Sequence, residues 1–109
     1  MSWLVSDGNV LASLEVADTH RSRRRGLLGR DGIDGALLLR PTRAVHTVGM
    51  RFDLDIAWCD GDMTVIRTAT VPRHRVTRPV WRASAVIEAE AGSFERWGLC
   101  VGDRLDITT

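Results

Sequence analysis

The segment from His46 to Asp60, HTVGMRFDLDIAWCD, constrains the fold most, because it joins chemically versatile side chains to an apolar strand. Successive side chains of a strand point to opposite faces of a sheet, so the apolar residues that alternate from Leu54 to Trp58 share one face. Asp53 and Asp55 fall on the other face, where carboxylates need hydrogen-bond donors or a function. The segment therefore predicts core and candidate chemistry together, although it completes no known catalytic constellation.

A chain of 109 residues can bury one hydrophobic core without disulfides or metals, which predicts a single domain over residues 1–109. Cys59 and Cys100 lie in apolar surroundings and match no metal-binding spacing, so buried reduced thiols are favoured over a disulfide, which stays open. The N-terminal MSWLVSDGNV has neither the basic region nor the apolar stretch of a signal peptide. These features predict a cytoplasmic protein with no membrane partner.

Arginine supplies all 15 basic residues, and its distribution along the chain is uneven. Two basic islands, residues 20–30 and 67–82, each contain five arginines and no acidic residue. The net charge of only +1 argues against a general nucleic-acid binder, which usually carries a strongly basic domain. The islands predict local binding of an anionic small molecule or an acidic protein surface rather than a specific nucleic acid.

Alternating hydrophobicity and turn residues predict short strands with few helices. A hairpin is predicted from residues 3–5 and 10–17, and a basic surface helix from His20 to near Gly29, capped by Asp18 or Thr19. Residues 72–82, PRHRVTRPVWR, predict an ordered surface loop. The remaining predictions are strands at residues 36–39, from about 55 to a turn at 60–62, from there to 71, at 85–91 and up to 107, with a helical turn at 93–97.

The order of several short motifs resembles a known family, domain of unknown function 192, over roughly residues 17–106. The motifs are Arg25–Arg30, Gly35–Leu39, His46–Met50 leading into Leu54–Ile56, Ile87–Glu88, Gly92, Gly98–Leu99 and Gly102–Asp103. The chain is a variant, since the family commonly has Phe-Trp before the Met, Asn-Thr after it, Pro before Leu-Asp, and Met at position 28. The resemblance implies a small α+β domain with a curved, mostly antiparallel sheet or partly open barrel. It supplies no established activity.

Three polar residues at the edges of apolar strands are the candidates for catalysis, namely His46, Asp55 and Glu88. A histidine beside a carboxylate can act as a general base or hold a ligand. The alternative is structural, with His46 capping a turn and both carboxylates accepting backbone N–H groups or pairing with arginines. We assign no metal and no cofactor, because the histidines are scattered and the glycines match no nucleotide-binding motif.

A ligand groove is predicted where the basic islands approach these residues. Its expected edge is Arg24, His46, Arg51, Asp55 and Glu88, with Arg73, Arg75 and Arg78 contributing from the loop. The opposing interpretation is a solvated surface whose arginines neutralise Asp53, Asp60, Asp62 and Glu88. The sequence favours a small binding module over an enzyme.

The alternatives to a binding module are an acid/base hydrolase using His46 with Asp55 or Glu88, and an interaction protein acting through residues 72–82. The oligomeric state stays open.

Overall fold

One seven-stranded sheet forms most of the protein in the computed structural model, which describes all residues 1–109. In chain order the elements are β1 (Ser2–Ser6), β2 (Asn9–Ala17), α1 (His20–Arg25), β3 (Ala36–Leu39), β4 (Leu54–Cys59), β5 (Val65–Val71), β6 (Ala85–Glu90), α2 (Ser93–Trp97) and β7 (Leu105–Thr108). The strand order is β5-β4-β6-β3-β2-β1-β7. Every pairing is antiparallel except the one between β2 and β3.

The sheet curls until its two edge strands approach each other at one end. Thr64 forms a β-bridge with Arg104, just before β5 and β7 begin. The Val65 N–H donates to the Asp103 carbonyl at 2.8 Å, and the Leu105 N–H donates to the Met63 carbonyl at 2.9 Å. The result is a half-barrel, which confirms the predicted α+β class and its curved, mostly antiparallel sheet.

The inner face of the half-barrel carries the first hydrophobic cluster. All seven strands contribute to it, because alternate side chains of a curled sheet point inward. Phe94 of α2 and Leu99, which follows α2, complete the cluster. Its strand residues include Leu4, Leu14, Leu38, Ala57, Cys59, Val65, Ile87 and Leu105. Burial raises the pKa of the Cys59 thiol to about 12, so Cys59 is an inert core residue.

A second cluster lies on the outer face, where the segment 43–52 covers β3, β4 and β6. It includes Leu37, Leu39, Val45, Met50, Phe52, Leu54, Ile56, Trp58 and Val86. The Trp58 indole N–H donates to the Arg43 carbonyl at 3.0 Å and so fixes this segment to the sheet. The chain length favours a single core, but the central strands have apolar residues on both faces and so support two clusters within one domain.

Two predictions about apolar segments were wrong in detail. The basic helix α1 ends at Arg25 instead of continuing to near Gly29, because Gly26 has a φ of +48° that leaves the helix. Cys100 is exposed, because it lies in the turn after α2 rather than in a strand. Both cysteines are free. Neither helix is long and apolar enough to cross a membrane.

The loop at residues 72–82 is ordered, as predicted, by pairing with residues 45–47. The Thr47 N–H donates to the Arg75 carbonyl at 2.7 Å, and the Thr77 N–H donates to the Val45 carbonyl at 2.9 Å. The buried Thr47 hydroxyl donates to the Pro72 carbonyl at 2.6 Å and accepts from the Arg75 N–H at 2.9 Å. Thr47 is therefore the central hydrogen-bonding residue of the loop, and most side chains of the loop are exposed.

Candidate functional site

A cavity of about 360 Å³ opens on the outer face of the sheet, and we call it the Glu88 cavity. Its floor is β6, its walls are apolar, and its rim is formed by the end of α1 and the segment 41–46. The lining residues are Arg23, Arg24, Arg25, Gly26, Leu27, Leu39, Pro41, Thr42, Arg43, Ala44, Val45, His46, Met50 and Glu88. The cavity joins the first basic island to the outer-face core.

Glu88 is the only acidic residue of this cavity, and it is 3% exposed. Strand alternation explains its position, since β6 points Ile87 and Ala89 into the half-barrel and therefore Glu88 to the outer face. Its Oε1 atom is buried and has no hydrogen-bond partner. Burial raises the pKa of the Glu88 carboxyl to about 7. Near neutral pH this carboxyl can therefore exchange a proton or bind a donor.

Gly26 gives the main chain close access to this carboxyl. Its φ of +48° turns the chain out of α1, and a Cβ atom built on it would lie 3.4 Å from the Glu88 Oε1 atom. The Gly26 backbone therefore approaches the sheet closely, and the nearest atom is a carboxyl oxygen of the candidate site. A larger residue at this position would occupy space next to the unpartnered oxygen.

Four arginines surround the opening, and they differ in how they are held. The Arg23 guanidinium donates to the Asp18 carbonyl at 2.9 Å and to the Arg40 carbonyl at 3.3 Å, so it ties α1 to the end of β3. Arg24, Arg25 and Arg43 have no carboxylate within ion-pair distance, because the three ion pairs of the molecule involve other arginines. These three side chains are exposed and form an uncompensated positive rim above a buried carboxyl.

The predicted catalytic residues do not meet at one point. His46 and Glu88 both line the Glu88 cavity, whereas Asp55 lies on the inner face of the sheet. Asp55 accepts hydrogen bonds from the Thr70 hydroxyl at 2.8 Å and from the N–H groups of Gly92 and Phe94 at 3.0 and 3.1 Å. Asp55 therefore anchors the start of α2, and an acid/base pair in this cavity would consist of His46 and Glu88.

The predicted ligand-binding arginines also separate into two groups. Arg24 lines the Glu88 cavity, but Arg51 lies outside it and pairs with Asp31 at 2.8 Å. The loop arginines lie outside this cavity as well. Arg73 approaches Asp53 at 3.6 Å, while Arg75 and Arg78 are exposed and form no ion pair. Asp60 accepts N–H groups from its own turn. The segment 41–50 lies between the two basic islands.

Sequence reasoning missed several lining residues, chiefly Arg25, Arg43 and Met50. Arg25 belongs to the first basic island. It could have been predicted as a lining residue if the end of the helix had been expected to face the sheet. Arg43 and Met50 come from a segment without regular structure, whose path follows from contacts distant in sequence. No local pattern could have identified these two residues.

The fold and the cavity define the molecule as a small half-barrel domain with a buried carboxyl beneath an arginine rim. The family model of DUF192, described as "Uncharacterized ACR", matches residues 3–107. Since this match covers nearly the whole chain, the protein belongs to the DUF192 family, as its motifs suggested. No curated protein matches the chain.

Two crystal structures share this fold over 96% of the chain. One is a protein of unknown function from Novosphingobium aromaticivorans DSM 12444, with 20% identity, a TM-score of 0.80 and 82% of its own chain covered. The other, described as a "putative transcription regulator" from Sinorhizobium meliloti 1021, has 24% identity, a TM-score of 0.81 and 90% covered. At these identities the likeness extends to the fold alone.

Proposed function

We propose that the protein is a small binding module whose Glu88 cavity takes an anionic small molecule at its arginine rim. The supporting observation is that Arg24, Arg25 and Arg43 surround one cavity without a carboxylate partner. Arginine forms charge-assisted, often bidentate hydrogen bonds with phosphate and carboxylate groups. The cavity volume of about 360 Å³ suits a small metabolite and not a polymer segment.

A second candidate function is interaction with an acidic protein surface through the loop at residues 72–82. Val76 and Trp81 are each 75% exposed, and exposed arginines flank them. Apolar side chains next to cations complement peptides that combine acidic and aliphatic residues. Because the loop arginines lie outside the Glu88 cavity, the two candidate functions depend on different side chains.

Two matched triple variants separate these candidates. R24S/R25S/R43S removes the rim charges and R73S/R75S/R78S removes the same number of charges from the loop. Calorimetric titration with inorganic phosphate and pyrophosphate at low and moderate salt should show salt-sensitive binding that the rim variant weakens about tenfold or more and the loop variant retains.

Titration with a peptide of alternating glutamate and leucine residues tests the second candidate on the same variants. Loop-mediated recognition predicts that this peptide loses affinity for the loop variant only. Equal phosphate affinity in the native protein and the rim variant would reject the cavity as an anion site. Thermal melts of both variants should stay close to that of the native protein, since all these arginines except Arg73 lack ion pairs.

A further inference from the structure

The floor and the rim of the Glu88 cavity have opposite chemistry. The rim presents guanidinium groups that suit an anion, while the floor presents a carboxyl oxygen that is buried and has no hydrogen-bond donor. A simple anion bound at the rim would leave this oxygen unpartnered, and an unmade hydrogen bond in a buried site is costly. The floor of the cavity can therefore accept a hydrogen bond from a ligand at the Glu88 Oε1 atom.

The walls between the two ends are apolar. Leu27, Leu39, Val45 and Met50 are buried, line the cavity and belong to the outer-face cluster. Across the sheet, Glu88 has Leu37 and Ile56 as its register partners, so neither adjacent strand offers it a polar neighbour. A ligand that reaches the floor must pass a hydrocarbon wall, which suits an aliphatic spacer between two polar ends.

We infer that the ligand of the Glu88 cavity is an aminoalkyl phosphate or carboxylate, whose ammonium group donates to Glu88 and whose anionic group contacts Arg24, Arg25 and Arg43. This inference rests on the proposed anion-binding function and extends it to the floor of the site. An ammonium group supplies the donor that Oε1 lacks, and the resulting buried ion pair has hydrogen bonds at both ends.

The direction of proton transfer on binding distinguishes this ligand class from a simple anion. The charged or titratable groups that face Glu88 are Arg23, Arg24 and Arg25 from α1, and Arg43 and His46 from the segment 41–46. An ammonium beside Glu88 favours the carboxylate and lowers its pKa from about 7, so binding releases a proton near neutral pH. A carboxylate such as butyrate at the rim raises this pKa, so its binding takes up a proton. A phosphate monoester has a second pKa of about 6 and also releases protons of its own beside guanidinium groups, so the carboxylate pair gives the direct reading of Glu88.

The test compares probes that differ only in the amine. Phosphoethanolamine is titrated against ethyl phosphate, and 4-aminobutyrate against butyrate, each near pH 7 in two buffers of different ionisation enthalpy. We expect the amine-bearing member of at least one pair to bind about tenfold more tightly than its partner and to release protons. The E88Q variant should lose the preference for the amine and, with 4-aminobutyrate, the proton release, whereas E90Q, on the same strand but exposed and outside the cavity, should retain both.

Three outcomes would overturn the inference. Equal affinity within both pairs, or proton uptake with the amine-bearing probes, shows that the floor does not receive an ammonium group. If either result is found and ethyl phosphate still binds through the rim arginines, the proposed anion-binding function stands without the inference. Absence of binding by all four probes and by pyrophosphate would reject the proposed function as well. The comparison between probes uses the native protein, so it does not depend on the folding of any variant.

Discussion

Asp55 and Glu88 are two buried carboxylates on neighbouring strands with opposite surroundings. Asp55 is 4% exposed and accepts three hydrogen bonds, while Glu88 is 3% exposed and its Oε1 atom accepts none. The sequence correctly identified both as carboxylates among apolar neighbours that need an explanation. It could not assign the explanation, because the donors come from residues 15 to 39 positions away from Asp55.

Asp55→Ala should destabilise the protein, because it leaves the Gly92 and Phe94 N–H groups without their acceptor at the start of α2. We expect a loss of about 1 to 3 kcal/mol in the free energy of unfolding, measured by urea denaturation. Asp53→Ala is the control, since Asp53 is half exposed and the one backbone N–H that it accepts, from Arg73 at 2.9 Å, lies at the surface where water can replace the acceptor. Equal stability of Asp55→Ala and Asp53→Ala would remove Asp55 as the anchor of α2.

At the scale of elements, α1 depends on its caps rather than on burial. It has no buried residue, and a capping box between Thr19 and Ser22 fixes its start. The sequence predicted this start and the surface position of the helix. It did not predict the end, because the apolar Leu27 suggested a continuing helix, whereas Leu27 is buried beyond the turn at Gly26.

The turn at Gly26 yields a prediction with a matched control. Gly26 and Gly29 both have positive φ angles, so alanine at either position should cost about 1 to 3 kcal/mol of stability through backbone strain. Only the Cβ atom at position 26 would contact the Glu88 Oε1 atom, since position 29 has no atom within 4 Å. Titration with phosphoethanolamine should therefore show weaker binding for Gly26→Ala than for Gly29→Ala, and equal affinities would contradict this geometry.

For the whole molecule, most individual strands could be predicted locally but their arrangement could not. A wholly apolar run at residues 36–39 and an alternating pattern at residues 85–91 predicted β3 and β6 closely, since both patterns reflect burial. The curved sheet came from the family resemblance. The cavity depends on long-range pairing that brings α1 and the segment 41–46 to the outer face of β6, and no local pattern contains that information.

The stability of the whole protein should depend on pH through Glu88. The folded pKa of about 7 exceeds the ordinary value of 4.5, so between these values the folded state binds more protons than the unfolded state. The contribution of this group is fully present below pH 4.5 and is lost as the pH rises through 7. The shift corresponds to roughly 3 kcal/mol.

Urea denaturation of the native protein and E88Q across this pH range measures the effect. The stability difference in favour of E88Q should grow by roughly 3 kcal/mol between about pH 4.5 and about pH 8, because glutamine does not titrate. Glu90→Gln, on the same strand but exposed, should show no comparable trend. A pH-independent difference between the native protein and E88Q would mean that the carboxyl is not desolvated in the folded state.

The contrast between α1 and β6 has a kinetic consequence. β6 lies between two hydrogen-bonded strands and has apolar clusters on both faces, so its amide protons should exchange with solvent only on global unfolding. α1 buries no side chain and can open at a much smaller free-energy cost. The entrance to the Glu88 cavity can therefore widen at the rate of a local fluctuation of α1, while the strand that carries the carboxyl stays folded for as long as the whole molecule does.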